Sequence, residues 1–158
     1  MAVLFESFIR NFYKREAHRV FGRKLVKVGR EDIKWKLSGS NEEADAFLPK
    51  MQTDVCITTD ENRTIIECKY TADLFQTQRF EGSQKLRSTH LYQINSYLDN
   101  LPDTPLNKSC RAILLYPVAK RSFEADFRRA GEQSVSVRTI NLYQAWQDIE
   151  RSLLSLIA

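Results

Sequence analysis

The chain has 158 residues, 42% hydrophobic and 28% charged, with only four prolines and five glycines. A chain of this length buries roughly 68–70% of the surface its unfolded form exposes, so one domain over residues 1–158 is expected to hold a core unaided. The composition excludes fibrous and extensively disordered classes. Cys56, Cys68 and Cys110 are odd in number and form no C-x-x-C pair. That excludes a disulfide framework and a zinc or iron–sulfur knuckle, and they read as buried thiols of a reducing cytoplasm.

The net charge is +4, but its distribution says more. Residues 10–36 carry ten Lys or Arg against three acids, whereas residues 41–67 carry seven Asp or Glu against Lys50 and Arg63. An acidic stretch beside a basic one suits a protein that gathers a polyanion around a carboxylate-bound cation. It also suits two solvated faces of opposite sign.

In chain order, the N-terminal segment becomes charged from Glu6 onward, so it reads as neither a signal peptide nor a membrane span, and no other stretch has membrane length. Leu4, Phe5, Phe8, Ile9 and Phe12 recur at helical spacing with Ser7, Arg10 and Lys14 opposite, which predicts an amphipathic helix over residues 3–20 ending near Gly22. Short β-like pieces follow at Lys24–Val28 and Ile33–Leu37, then a polar loop over Ser38–Ala44. Met51–Thr58 and Thr64–Tyr70 are β-branched runs joined by the polar turn Thr59–Arg63, an antiparallel hairpin. Residues 71–88 lack a period and read as a loop, leading to a helix over Thr89–Leu98 that Pro102 and Pro105 bring to a stop. Arg111–Val118 is a nearly continuous apolar run, expected as a central strand buried on both faces. A strand over Val135–Leu142 and a helix over Tyr143–Ile157 complete an α/β fold, a mixed central sheet flanked by helices.

Side chains alternate along a strand, so Glu67 and Lys69 in I-I-E-C-K-Y share a face, roughly 6.6–7 Å apart, while Ile66 and Cys68 face the other layer. The hairpin can bring Asp54, thirteen positions upstream, beside Glu67. Paired carboxylates repel unless a cation or proton intervenes, and hard oxygen ligands of this kind suit Mg²⁺. Phosphodiester hydrolysis is the reaction class that such a site, with an ammonium beside it, serves best. Spacing alone also fits a solvated strand face with a cross-strand ion pair to Asp54. On the next helix Gln93 and Tyr97 stand four apart on one face, beside the apolar stripe Leu91, Ile94 and Leu98, where a glutamine amide needs a partner.

These residues resemble the PD-(D/E)xK nucleases, whose signature is an Asp on one strand and (D/E)-x-K on the next. Q-x-x-x-Y on the following helix is similar to the RecB-like branch of that superfamily. L-F-E-S-F-I-R-N-F-Y at Leu4–Tyr13, L-P-K-M-Q-T-D-V at Leu48–Val55, I-E-C-K-Y at Ile66–Tyr70 and L-Y-Q-I-N-S-Y at Leu91–Tyr97 together resemble the nuclease domain of McrC, the cleaving subunit of modification-dependent McrBC restriction systems. The likeness covers about the first hundred residues. It implies a restriction-endonuclease-like core, with Asp54 and Glu67 as ligands of Mg²⁺, for which Mn²⁺ can substitute. It further implies Lys69 as the catalytic lysine, Gln93 and Tyr97 as supports near the site or the DNA backbone, and Glu6 as a further carboxylate turned toward the metal. By helical angle Glu6 sits at the edge of the apolar stripe, which also fits a surface role. The sequence departs from the family pattern at Thr53, where Pro is usual, and at Lys50, where Gly is common; neither position supplies a ligand. McrC-like proteins also carry an N-terminal region that docks onto the motor, and this chain opens on the nuclease helix.

The function so implied is cleavage of double-stranded DNA in the cytoplasm beside a GTP-hydrolysing McrB-type AAA+ partner, with monomer or dimer left open and no membrane involved. There is no P-loop in the sequence, so nucleotide hydrolysis falls to the partner. The alternatives are a RecB-like exonuclease or repair nuclease, and a non-catalytic DNA-binding or assembly module. Arg79, Lys85, Arg87, Lys120 and Arg121 are candidate phosphate contacts and equally fit solvated loops. His90 shares the Gln93 side of its helix and is expected to be hydrogen-bonded within the fold, while Trp35 and Trp146 fit core or rim positions.

Overall fold

The structure, a computed structural model, describes residues 1–71, 73–77, 83–118 and 121–158. Its elements run α1 (Ala2–Glu16), α2 (His18–Phe21), a 3₁₀ turn (Gly22–Lys24), β1 (Leu25–Gly29), β2 (Asp32–Ile33), α3 (Glu42–Ala46), β3 (Met51–Gln52), β4 (Val55–Thr59) and β5 (Arg63–Cys68). There follow β6 (Phe75–Thr77), β7 (Gln84–Leu86), α4 (Ser88–Asn100), α5 (Pro105–Lys108), β8 (Arg111–Pro117), β9 (Glu124–Arg128), β10 (Ser134–Ile140) and α6 (Trp146–Ile157).

A six-stranded mixed sheet in the order β1-β4-β5-β8-β10-β9 forms the centre. β5, β8 and β10 run parallel to one another, and the remaining neighbours are antiparallel. β8 is the central apolar run expected from the sequence, with Ala112 to Tyr116 all buried. Alternation sends its side chains to two layers. Ile113 and Leu115, with Ile66, Val55 and Ile57, meet Phe5, Ile9 and Phe12 of α1 and Ile149 and Leu153 of α6. Ala112, Leu114 and Tyr116, with Ile65, meet Ile94, Tyr97 and Leu98 of α4 on the other face. The arrangement is the mixed sheet flanked by helices that the sequence predicts, and it accommodates a restriction-endonuclease-like core. Among the described residues no helix is long and apolar enough to cross a membrane.

Several local expectations are corrected. The helix over 3–20 breaks at Ala17 into α1 and α2, and the last helix starts at Trp146, leaving Tyr143 93% exposed. Of Ile33–Leu37 only Ile33 is in a strand, as the second residue of β2, which pairs with β3. The polar loop 38–44 contains the start of α3, capped by Asn41 Oδ1 accepting from the Ala44 N–H at 2.9 Å. Within 71–88, β6 and β7 form a small antiparallel ribbon. β9 was not foreseen. Its sequence E-A-D-F-R lacks apolar alternation because it is an outer strand, tied to its neighbour partly through Asp126, which accepts from Ser136 Oγ and Arg138 Nη2 at 2.7 and 2.6 Å.

The correction that matters most concerns Met51–Thr58, which is two strands and not one. At Thr53 the chain leaves its pairing with β2 and at Val55 it joins β5. The Thr53 N–H donates to the Glu31 carbonyl at 2.9 Å, and its Oγ1 accepts from the Glu31 N–H at 3.0 Å. Thr53 is 1% exposed, so this two-way bond to the β1–β2 connection fixes the changeover. Asp54 stands at the gap between the two ladders.

Candidate active site

Asp54 is one step beyond the last rung of the β4–β5 hairpin, Val55 opposite Ile66, which brings it level with Glu67. Its Oδ2 accepts the Cys68 N–H at 2.8 Å, tying the carboxylate to the neighbouring strand. Glu67 is 3% exposed and points into the α4 layer. Its Oε1 accepts from Lys69 Nζ at 2.9 Å and from Gln93 Nε2 at 2.8 Å. Its Oε2 is buried and has no hydrogen-bond partner among the described residues.

Gln93 joins the remaining groups. Its Oε1 accepts from Lys69 Nζ at 2.6 Å, and its Nε2 donates to the Tyr97 hydroxyl at 2.8 Å as well as to Glu67. Tyr97, 3% exposed, donates a hydrogen bond from its hydroxyl to the Gln52 carbonyl at 2.9 Å. The i, i+4 spacing on α4 thus serves one network, and the amide orientation follows from it: the oxygen faces the ammonium and the nitrogen faces the carboxylate. Asp54, Glu67, Lys69, Gln93 and Tyr97 meet at one place, at the C-terminal end of β5.

Burial raises the proton affinity of both carboxylates. The Asp54 carboxyl is pushed up to about 7, first by burial and then by the Glu67 charge beside it, with the Cys68 N–H opposing. Glu67 is also raised, again first by burial, while the Lys69 ammonium pulls the other way. Two carboxylates that resist ionisation side by side, one carrying an orphaned buried oxygen, are suited to a divalent cation.

Glu6 is brought toward this centre, close enough to raise both carboxyl groups. Its own carboxylate is turned to Arg10, at 2.6 Å, and to Arg30. Burial raises the Glu6 pKa, but the two guanidiniums outweigh it and hold the group below its ordinary value. Among the described residues no three His, Cys, Asp or Glu side chains form a ready metal cage. The donors present, Asp54 and Glu67, fit an ion such as Mg²⁺ that retains several waters and takes few protein ligands.

Arg10 and Arg30 were missed by the sequence reading, which placed Arg10 on the helix face away from the core. The i, i+4 spacing of Glu6 and Arg10 was a usable signal. Arg30 gave none, since it arrives from the end of β1. His90 is hydrogen-bonded within the fold, its Nδ1 lying 2.8 Å from the Tyr116 hydroxyl, and its pKa is lowered to about 4, first by burial and then by Lys69 and Arg87.

Of the candidate DNA contacts, Arg79 and Lys120 lie outside the described residues. Lys85 is exposed on β7. Arg87 donates through Nε to the Asp73 carbonyl at 2.7 Å. Arg121 lies 5.0 Å over the Phe75 ring. Lys85, Arg87 and Arg121 thus cluster around the β6–β7 ribbon and the start of α4. An apolar groove of about 780 Å³, lined by Leu4, Phe8, Tyr70 and Trp146, opens on the α1–α6 side, and the Glu67–Lys69–Gln93 network does not line it.

No family model matches the chain. The chain is similar to a type IV methyl-directed restriction enzyme, EcoKMcrBC, of Escherichia coli strain K12, with 29% identity over 157 residues. The aligned region is 99% of this chain and 42% of the relative, so the chain spans less than half of the length of the protein it matches.

Proposed function

We propose that this chain is a DNA endonuclease domain that hydrolyses phosphodiester bonds with a divalent cation, Mg²⁺ or in its place Mn²⁺, held by Asp54 and Glu67. One observation carries the reading: an orphaned buried oxygen of Glu67 lies in a network that also fixes an ammonium beside the carboxylates. The similarity to a methyl-directed restriction enzyme along nearly the whole chain supports DNA as the substrate. When bound, the cation neutralises charge that builds on the phosphate and acidifies a water it holds.

The protein's own groups do the rest. Lys69 uses two of its three N–H donors on Glu67 and Gln93 among the described residues. The third is left to meet a phosphate oxygen or the attacking water. Gln93 stops the ammonium from collapsing onto Glu67 alone, and Tyr97 anchors Gln93 to the Gln52 carbonyl beside the Thr53–Asp54 changeover. The support thus links β5, which carries Glu67, and the segment that carries Asp54 to α4, which gives the near-rigid placement that electrostatic catalysis requires.

At the finer level, the domain works beside a GTP-driven McrB-type partner that finds modified DNA and delivers it for cutting. The sequence motifs support this assignment, as does a relative that is a restriction enzyme directed by methylation.

Nicking of supercoiled plasmid with Mg²⁺ or Mn²⁺ tests the reading, with EDTA and Lys69→Ala as controls. Metal-dependent nicking reduced at least about 100-fold in Lys69→Ala is expected, the loss typical of removing a transition-state electrostatic donor. Digestion confined to the ends of linear DNA would make the chain an exonuclease. DNA binding without cleavage, even with a motor partner present, would make it a binding module.

A further inference from the structure

Two guanidiniums stand against the carboxylate centre with no part in the scheme above. Arg10 Nη1 and Arg30 Nη2 both donate to a single oxygen, Oε1 of Glu6. Arg10 also reaches the Asp54 carbonyl at 3.4 Å and Ser7 Oγ at 3.3 Å, which seats it against the segment that carries Asp54. The pair leaves one positive charge in excess over Glu6. The Arg30 side chain is 42% exposed against 16% for Glu6, so that excess faces solvent. An i, i+4 ion pair with Arg10 alone would secure Glu6 on α1. The second guanidinium comes from the end of β1, and a half-exposed ion pair adds little to stability.

We propose that Arg10 and Arg30 form a phosphate-binding clamp for the backbone of the strand being cut, with the Glu6 carboxylate as a placeholder that the phosphodiester displaces. The proposal rests on the nuclease reading. Guanidinium forks donate to phosphate and carboxylate oxygens in the same geometry, so the exchange preserves the hydrogen bonds of both arginines. It also frees Glu6 beside Asp54 and Glu67. The clamp lies on the α1 and β1 side of the carboxylates and Lys69 on the α4 side. A strand crossing the centre thus meets a cation on each flank. None of the basic residues picked out from the sequence as DNA contacts belongs to this clamp.

Duplex DNA affinity measured by fluorescence anisotropy in EDTA, over a series of salt concentrations, decides the matter. The proteins compared are wild type, Arg30→Ala, Glu6→Gln and Lys108→Ala. Lys108 lies on α5, at the opposite end of β8 from the site. Arg30→Ala is expected to weaken binding about tenfold and to lower the slope of log affinity against log salt by about 1, as for one lost phosphate contact. Glu6→Gln is expected to tighten binding several-fold, because the clamp loses its internal competitor, and Lys108→Ala to change neither quantity. Wild-type binding that is unaltered in both Arg30→Ala and Glu6→Gln would overturn the clamp and leave the nuclease reading standing. No DNA binding by the wild type would overturn the clamp, while metal-dependent plasmid nicking decides the nuclease reading separately.

Discussion

Asp54 holds its proton more tightly in the folded protein than in the unfolded chain, and this has a measurable sign. Its carboxyl is raised from the ordinary 3.8 to about 7, first by burial. Between those values the folded state binds a proton that the unfolded state has released, so the stability contributed is complete below pH ~4 and is lost as pH rises through ~7. In EDTA, the urea midpoint of the wild type should therefore fall between pH 5 and pH 8, and fall less in Asp54→Asn. At pH 8 the variant should be the more stable by on the order of 2 kcal/mol, a figure discounted for partial solvent contact. Asparagine keeps an oxygen to accept the Cys68 N–H, so the comparison isolates the charge. Parallel pH profiles of the two proteins would show that Asp54 ionises without penalty.

At the level of elements, α4 carries the support of the site. Tyr97→Phe retains a ring that is 3% exposed and removes a hydroxyl bonded to Gln93 and to the Gln52 carbonyl. The expected cost is about 1–2 kcal/mol of stability, since one acceptor and one donor lose their partner. If Tyr97 positions Lys69 through Gln93, plasmid nicking should fall about tenfold in kcat with little change in KM, as for an interaction realised in the transition state. A stability loss with an unchanged rate would confine Tyr97 to packing.

The same elements show what the sequence could reveal. The β4–β5 hairpin, α4 and β8 were legible because each has a local signature: alternation with a polar turn, helical spacing, and a long apolar run. Glu67, Gln93 and Tyr97 lie on those elements and Lys69 one residue past the end of β5, and their facing followed from the period. The break at Thr53 was not legible, since its cause is the backbone of Glu31, 22 positions away, and the residues on either side are equally strand-like. For the same reason Arg30 at Glu6 escaped notice. A contact made 24 residues apart has no periodicity to betray it.

Over the whole molecule, the α1–α6 layer is fastened by Tyr13, whose buried hydroxyl donates to the Leu153 carbonyl at 2.8 Å. Leu153 itself is 0% exposed among residues of both helices and the sheet. Leu153→Ala should cost about 2–5 kcal/mol, the transfer and cavity terms together. For a chain of this size that lowers Tm by on the order of 10 °C in a thermal melt. A shift of under about 2 °C would mean that the layer relaxes into the space.

The bond from Tyr13 to Leu153 also spans 140 positions, which gives the molecule an order of assembly on the ribosome. Gln52, Glu67, Lys69, Gln93 and Tyr97 all precede residue 98, and the local hairpin and α4 among them can form early. α1, with Glu6 and Arg10, lacks its final seat until α6 has been synthesised. At ~5–20 residues per second, roughly 3–11 s separate the emergence of Tyr97 from that of Leu153. Under the proposed function, the nascent chain thus passes that interval with one flank of its candidate cutting centre still unset.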